Sequence, residues 1–131
     1  MAPQVETLAP YGSPPLIGPY SRVAKVGHNI TIGGLGGVDP KTAKIPRADA
    51  HAQTVQILKS LDAMLKSVGS DLNHVVHIHV LLGEMRDFDD MNVAYISVMG
   101  DHRPARTVIA AKELPKPDFR VLMNLTAVTA D

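Results

Sequence analysis

The sequence predicts an α+β fold in which two helices cover one face of a sheet. Three observations carry that prediction. Residues 48–68 and 87–99 space their apolar side chains with the period of a helix. Residues 21–26, 30–33, 73–82, 106–112 and 119–129 read as strands, which sets the order ββ-α-β-α-β-β. Two amphipathic helices suffice to cover one face of a sheet, not two.

The elements follow in order. Residues 1–18 are rich in Pro and Gly and read as an extended arm. Gly27-His28-Asn29 is a tight turn between the first two strands. Four glycines then fall in the five residues from Gly33 to Gly37. A phosphate-cradling loop would have to open a helix, whose N-terminus supplies the donors. Asp39-Pro40-Lys41-Thr42 follows instead, which is turn chemistry, so the glycines read as a bulged strand or a close backbone approach.

Over 48–68 the helical stripe is Val55, Leu58, Leu61, Leu65 and Val68, with Ile57 and Met64 beside it. Asp49 favours the helix start and Gly69 stops it. In the second helix Phe88, Met91, Tyr95 and Val98 share a face, and Gly100 is the stop. Asp87, Asp89 and Asp90 stand at its start, where acids favour the dipole. Pro115 and Pro117 break the chain before the last strand.

Alternation assigns the strand faces. Val76, Ile78, Val80 and Leu82 form one core face, and Val121, Met123, Leu125 and Ala127 another. The reverse faces mix apolar and neutral polar residues: Val75, His77, His79 and Leu81, and Arg120, Leu122, Asn124, Thr126 and Val128. A face open to water would be more uniformly polar. No third helix is available to cover it, so another copy of the chain is the expected cover, with any site on these faces lying between subunits.

Composition excludes several functions. A chain of 131 residues has room for one domain, residues 1–131, around one core. It contains no Cys, so thiol nucleophiles and thiolate metal sites are excluded, and a reducing, cytoplasmic setting fits. Thirteen basic residues balance thirteen acidic ones and are scattered, which disfavours nucleic-acid binding. No apolar run approaches the roughly 20 residues of a membrane span, and the N-terminus lacks the features of a secretory or mitochondrial leader.

His77 and His79 share a strand face, with His74 near. Zinc would need further ligands, and none completes the set, so hydrogen-bonding interface histidines are the expected role. No serine sits in a nucleophile-elbow sequence. The most informative stretch runs from Tyr95 to Thr107 and ends in Gly100-Asp101-His102-Arg103-Pro104-Ala105-Arg106-Thr107. Pro104 forces a break and Arg106 opens a strand, sharing a face with Val108 and Ala110. A guanidinium among small and apolar neighbours fits two roles. Its planar fork can hold a carboxylate through two parallel hydrogen bonds, or it can form an inter-subunit salt bridge to Glu113 or Asp101.

Several blocks together resemble the RidA/YjgF family of reactive-intermediate deaminases. They are Ile17-Gly18-Pro19-Tyr20-Ser21, Val38-Asp39-Pro40-Lys41-Thr42, Ala52-Gln53-Thr54, Val68-Gly69-Ser70-Asp71-Leu72, Asp87-Phe88, Asn92, Tyr95, Gly100, and residues 102–106. The resemblance covers almost the whole chain. It implies a chorismate-mutase-like α+β fold with a mixed sheet, and a homotrimer whose sheets pack at its centre. It also implies sites in clefts between subunits, and hydrolysis of 2-imino or enamine acids to 2-keto acids and ammonia with no cofactor or metal. It places Arg106 on the substrate carboxylate, Tyr20 in the pocket and Asn92 near it. Tyr20 and backbone groups of the Arg106 strand, Thr107 among them, are then expected to position the substrate, with Gly33 and Gly34 also at the substrate-binding wall.

Two departures stand out. Asn124 occupies the position of the family's water-holding glutamate, and Gly33 replaces a serine. An amide orients water but does not take its proton. The sequence therefore leaves three readings: a deaminase-like hydrolase, a different reaction in the same cleft, or a non-catalytic ligand-binding trimer.

Overall fold

The computed structural model describes residues 4–10, 13–45 and 49–131. Residues 1–3 and 11–12 of the expected arm, and Ala48 at the expected start of the first helix, lie outside the described residues. The architecture is α+β: a mixed six-stranded sheet and two helices.

The arm supplies a strand that alternation did not predict. β1 (Glu6–Leu8) pairs antiparallel with β2 (Val23–Val26) and forms the sheet edge. β2 turns through Gly27, at φ 57°, into β3 (Asn29–Gly36), pairing Val26 with Asn29. That left-handed turn position favours glycine. Both readings of the glycine cluster hold: Gly33 and Gly34 form a bulge in β3, and at Gly36 and Gly37 other residues approach the backbone closely. Ile32 pairs with Leu125 and Leu35 with Met123, so Gly33 and Gly34 together oppose the single residue Asn124.

α1 (Ala50–Ser67) starts at Asp49, whose carboxylate accepts from the Ala52 N–H at 2.6 Å. Its fully buried stripe is Ile57, Leu58, Leu61, Met64 and Leu65, while Val55 and Val68 are only half-buried. A short 3₁₀ turn leads to β4 (Val75–Leu82); α2 (Phe88–Met99), β5 (Ala105–Ala110) and β6 (Val121–Val128) follow. β5 therefore ends two residues before the predicted boundary at residue 112. The strand order is β1-β2-β3-β6-β4-β5, with β4 and β5 parallel and every other pair antiparallel. A parallel pair needs a crossover, and α2 supplies it.

The core joins both helices to one face of the sheet, through Ile32, Ile78, Val80, Leu82, Val121, Met123 and Leu125. One face assignment needs correction. Val75 is buried and Val76 is half-exposed, the reverse of the predicted alternation. A register irregularity between Val75 and His77 against β6 inserts one residue and inverts parity below it.

Asp87 stands at the start of α2, as expected, and has a further role there. It is buried, and its two oxygens accept from Arg120 Nε at 3.1 Å and Nη2 at 3.0 Å. Besides its place at the helix start, it forms a two-pronged ion pair that ties α2 to the entry of β6. The Asp87 carboxylate in turn raises the Arg120 pKa further.

Buried Gln53 holds the entry to β6. Its Nε2 donates to Asp118 O at 2.9 Å and its Oε1 accepts from Arg120 N at 2.8 Å. A Cβ at Gly37 would stand 2.8 Å from Gln53 Cα, so glycine is what lets β3 and α1 approach here. Gln53→Leu strands two backbone groups, each worth about 1–3 kcal/mol when unpaired. We expect a loss of about 2–4 kcal/mol in urea unfolding with an unchanged m-value; a midpoint within error of wild type would refute this role.

Candidate functional site

Arg106 lies on β5 at the edge of the sheet. It pairs in register with Ile78, which puts its side chain on the helix-covered face. Its Cζ sits 4.8 Å from the Tyr95 ring centroid and 5.9 Å from that of Phe88, with Nη1 4.0 Å from Met91 Sδ. Among the described residues no carboxylate pairs with it, neither Glu113 nor Asp101. Aromatic faces hold the guanidinium plane without using its forked N–H groups, which stay available for an anion.

The loop before β5 is held by His102, whose Nε2 donates to Val75 O at 3.0 Å. Arg106, Arg103, Pro104, Asn92, Tyr95 and Ile96 line an open pocket of about 390 Å³. The Tyr95 hydroxyl is buried with no partner among the described residues. Burial pushes its pKa up, and Arg106 and Arg103 pull it partly back. The structure thus brings Arg106 and Asn92 together in a cationic pocket.

The other predicted residues gather elsewhere. Tyr20 and Gly34 border a cleft of about 140 Å³ with Ile17, Leu122 and Phe119. Arg22, which sequence reasoning passed over, organises this cleft from beneath. It is buried, donates to Gly34 O at 3.1 Å and to the Pro14 and Pro15 carbonyls at 3.0 Å each, and stands 5.5 Å from the Tyr20 ring. Nothing in its sequence neighbourhood marks it, because its acceptors are backbone oxygens. A Cβ at Gly34 would press Leu122 at 3.0 Å, whereas one at Gly33 would have nothing closer than 4.0 Å. A side chain at Gly34 would have to displace the end of Leu122, while Gly33 leaves open space.

Asn124 faces outward from β6, opposite that bulge. His79 Nδ1 lies 3.1 Å from Asn124 Oδ1, and His77 Nε2 lies 3.1 Å from Thr107 Oγ1. The two imidazoles meet edge to face, centroids 4.3 Å apart at 89°. A polar row therefore crosses three strands, Thr107–His77–His79–Asn124. Among the described residues no cluster of three or more His, Asp or Glu could hold a metal.

Arg106 and Asn124 lie on opposite faces. Ile78 pairs with both Arg106 and Leu125 and points into the core, while His79 pairs with Thr107 and Asn124 and points out. The sheet separates the guanidinium from the amide, so one chain does not close both on one small molecule.

The Endoribonuclease L-PSP family profile matches residues 12–129. A RutC family protein of Pyrococcus horikoshii is 37% identical over 123 residues, covering 94% of this chain and 95% of its own. A mouse 2-iminobutanoate/2-iminopropanoate deaminase is 36% identical over 104 residues, 79% of this chain and 77% of that protein. The crystal structure of the E. coli YjgF gene product superposes with a TM-score of 0.87 at 31% identity, covering 94% of this chain and 98% of that one.

Proposed function

The chain belongs to the Endoribonuclease L-PSP family, the RidA/YjgF group, and from that membership we propose that it is a deaminase-like hydrolase of 2-imino or enamine acids. The products are a 2-keto acid and ammonia. The observation that carries this reading is Arg106: a guanidinium held by aromatic faces, with no carboxylate partner among the described residues, at the mouth of an open pocket. A small substrate carboxylate is the complement of that fork. The mouse relative's named activity has such substrates.

The opposite-face placement of Arg106 and Asn124 supports an inter-subunit site. Arg106 and Asn92 of one copy face Tyr20, Gly33, Gly34 and Asn124 of its neighbour, in a homotrimer of single domains with a chorismate-mutase-like arrangement. The outward sheet face, with Val76 and Ile109 half-exposed beside neutral polar groups, is the surface such an assembly would cover. No cofactor or metal enters this reading, and the lack of Cys fits a reducing, cytoplasmic setting for it. Among the described residues no helix is long and apolar enough to cross a membrane. Balanced charge gives an RNA substrate no support.

Asn124 in place of the family's glutamate is the chemical departure. The open space beside Gly33 favours a second reading, in which the same cleft takes a bulkier substrate and Asn124 recognises it. One experiment separates the two. An amino-acid oxidase generates 2-imino acids from a panel of amino acids, and semicarbazide traps what survives. The proposed function predicts loss of trapped product in proportion to added protein. No loss with any substrate would overturn it and leave the second reading.

A further inference from the structure

The hydrolysis needs a group that takes a proton from water, and the Asn124 amide does not take one. Its neighbour can. The Asn124 oxygen only accepts, so the His79 Nδ1 at 3.1 Å carries the proton. In the neutral ring Nε2 then holds a lone pair, and among the described residues no hydrogen bond engages it. His79 is exposed on the outward face. The bulge beside Asn124 leaves space at Gly33, where a Cβ would have nothing closer than 4.0 Å.

The other histidines are placed differently. His102 Nε2 is committed to Val75 O, and His77 stands beside Thr107 rather than Asn124. The outward residues flanking His79 are uncharged: Thr107 and Ile109 from β5, and Leu122, Asn124 and Thr126 from β6. His77, on its own strand, is the titratable group facing it.

We propose that His79 is the proton acceptor for the attacking water, with Asn124 as the positioning residue that fixes its tautomer and ring plane. This rests on the deaminase reading above. Water oxygen bonds to the iminium carbon while the C=N π pair moves onto nitrogen, and one water proton passes to His79 Nε2. The imidazolium returns that proton to the amino nitrogen. The C–N bond breaks with its electron pair leaving on ammonia, and the hydroxyl proton departs to His79 as the keto group forms. The base has moved from the residue at position 124 to the strand beside it.

The test measures kcat/KM for imine hydrolysis by the full chain across pH 5–8, the range in which imidazoles ordinarily titrate. Wild type should gain activity as pH rises through it. His79→Gln should lose about 100-fold or more, and with it that acid limb, which a merely structural role would not remove. Adding Asn124→Glu to His79→Gln should restore much of the rate and move the limb below pH 5, where carboxylates titrate. Should His79→Gln fail to assemble, the wild type still decides: the ¹⁵N shift of His79 must titrate with kcat/KM. An active wild type whose limb titrates apart from His79, or a His79→Gln variant with unchanged rate and profile, overturns the proposal and leaves the deaminase reading standing. A wild type inactive on every imine removes that reading and this one together.

Discussion

Arg106→Ala is expected to lower kcat/KM roughly 30- to 5,000-fold, from a loss of about 2–5 kcal/mol when one partner of a desolvated, hydrogen-bonded charge pair is truncated. The fold should hardly register the change. Among the described residues Arg106 forms no ion pair, and its stacking on Tyr95 and Phe88 is worth about 1 kcal/mol. Arg106→Lys should recover little, because a point charge does not reproduce the fork.

The proposed inter-subunit site, with Arg106 and Asn124 on opposite faces of the sheet, sharpens this prediction. If the proposed assembly holds, homo-oligomers of Arg106→Ala would have no intact arginine pocket, and homo-oligomers of Tyr20→Ala no intact opposite wall. Refolded together, mixed assemblies contain some clefts with both halves native, and a fraction of the activity should return. Full activity in Arg106→Ala would remove Arg106 from the site. Absence of recovery on mixing two well-assembled variants would instead argue that each site lies within one copy.

Arg22→Met is expected to cost about 2–4 kcal/mol, lowering Tm by roughly 10 °C. Two effects compete. Removing a buried guanidinium relieves its desolvation, which favours the variant. Against that, the carbonyls of Gly34, Pro14 and Pro15 all lose their donor, and Tyr20 loses the cation beside its ring. The buried Pro14 acceptor costs about 1–3 kcal/mol when unpaired, the half-buried Gly34 carbonyl adds to it, and methionine has no N–H to offer, so the loss should win. The Tyr20 wall of the cleft should loosen as well, raising KM more than it lowers kcat. An unchanged Tm with an unchanged KM would show that the arm docks without Arg22.

Much of this architecture was legible in the chain itself. Both helices, the caps at Asp49 and Gly69, and the inward face of β6 follow from periodicities of 3.6 and 2, which are properties of adjacent residues. Alternation also placed Arg106 near a strand start on one face with Val108, and His77 and His79 on one face, as the structure has them; the aromatic bed of Phe88 and Tyr95 comes from α2. The RidA/YjgF resemblance rested on local blocks of the same kind.

What alternation could not decide was register. One extra residue near Val76 inverted the predicted faces of Val75 and Val76, and the bulge at Gly33-Gly34 set both glycines against Asn124. The Asp87–Arg120 ion pair, the carbonyl cage of Arg22 and the His79–Asn124 contact each join segments far apart in sequence. So does the separation of Arg106 from Asn124 by the sheet. A strand's parity is written in its own residues. Which residue it meets on the next strand depends on bulges, crossovers and helix packing distributed over the whole chain, and only the folded structure settles them.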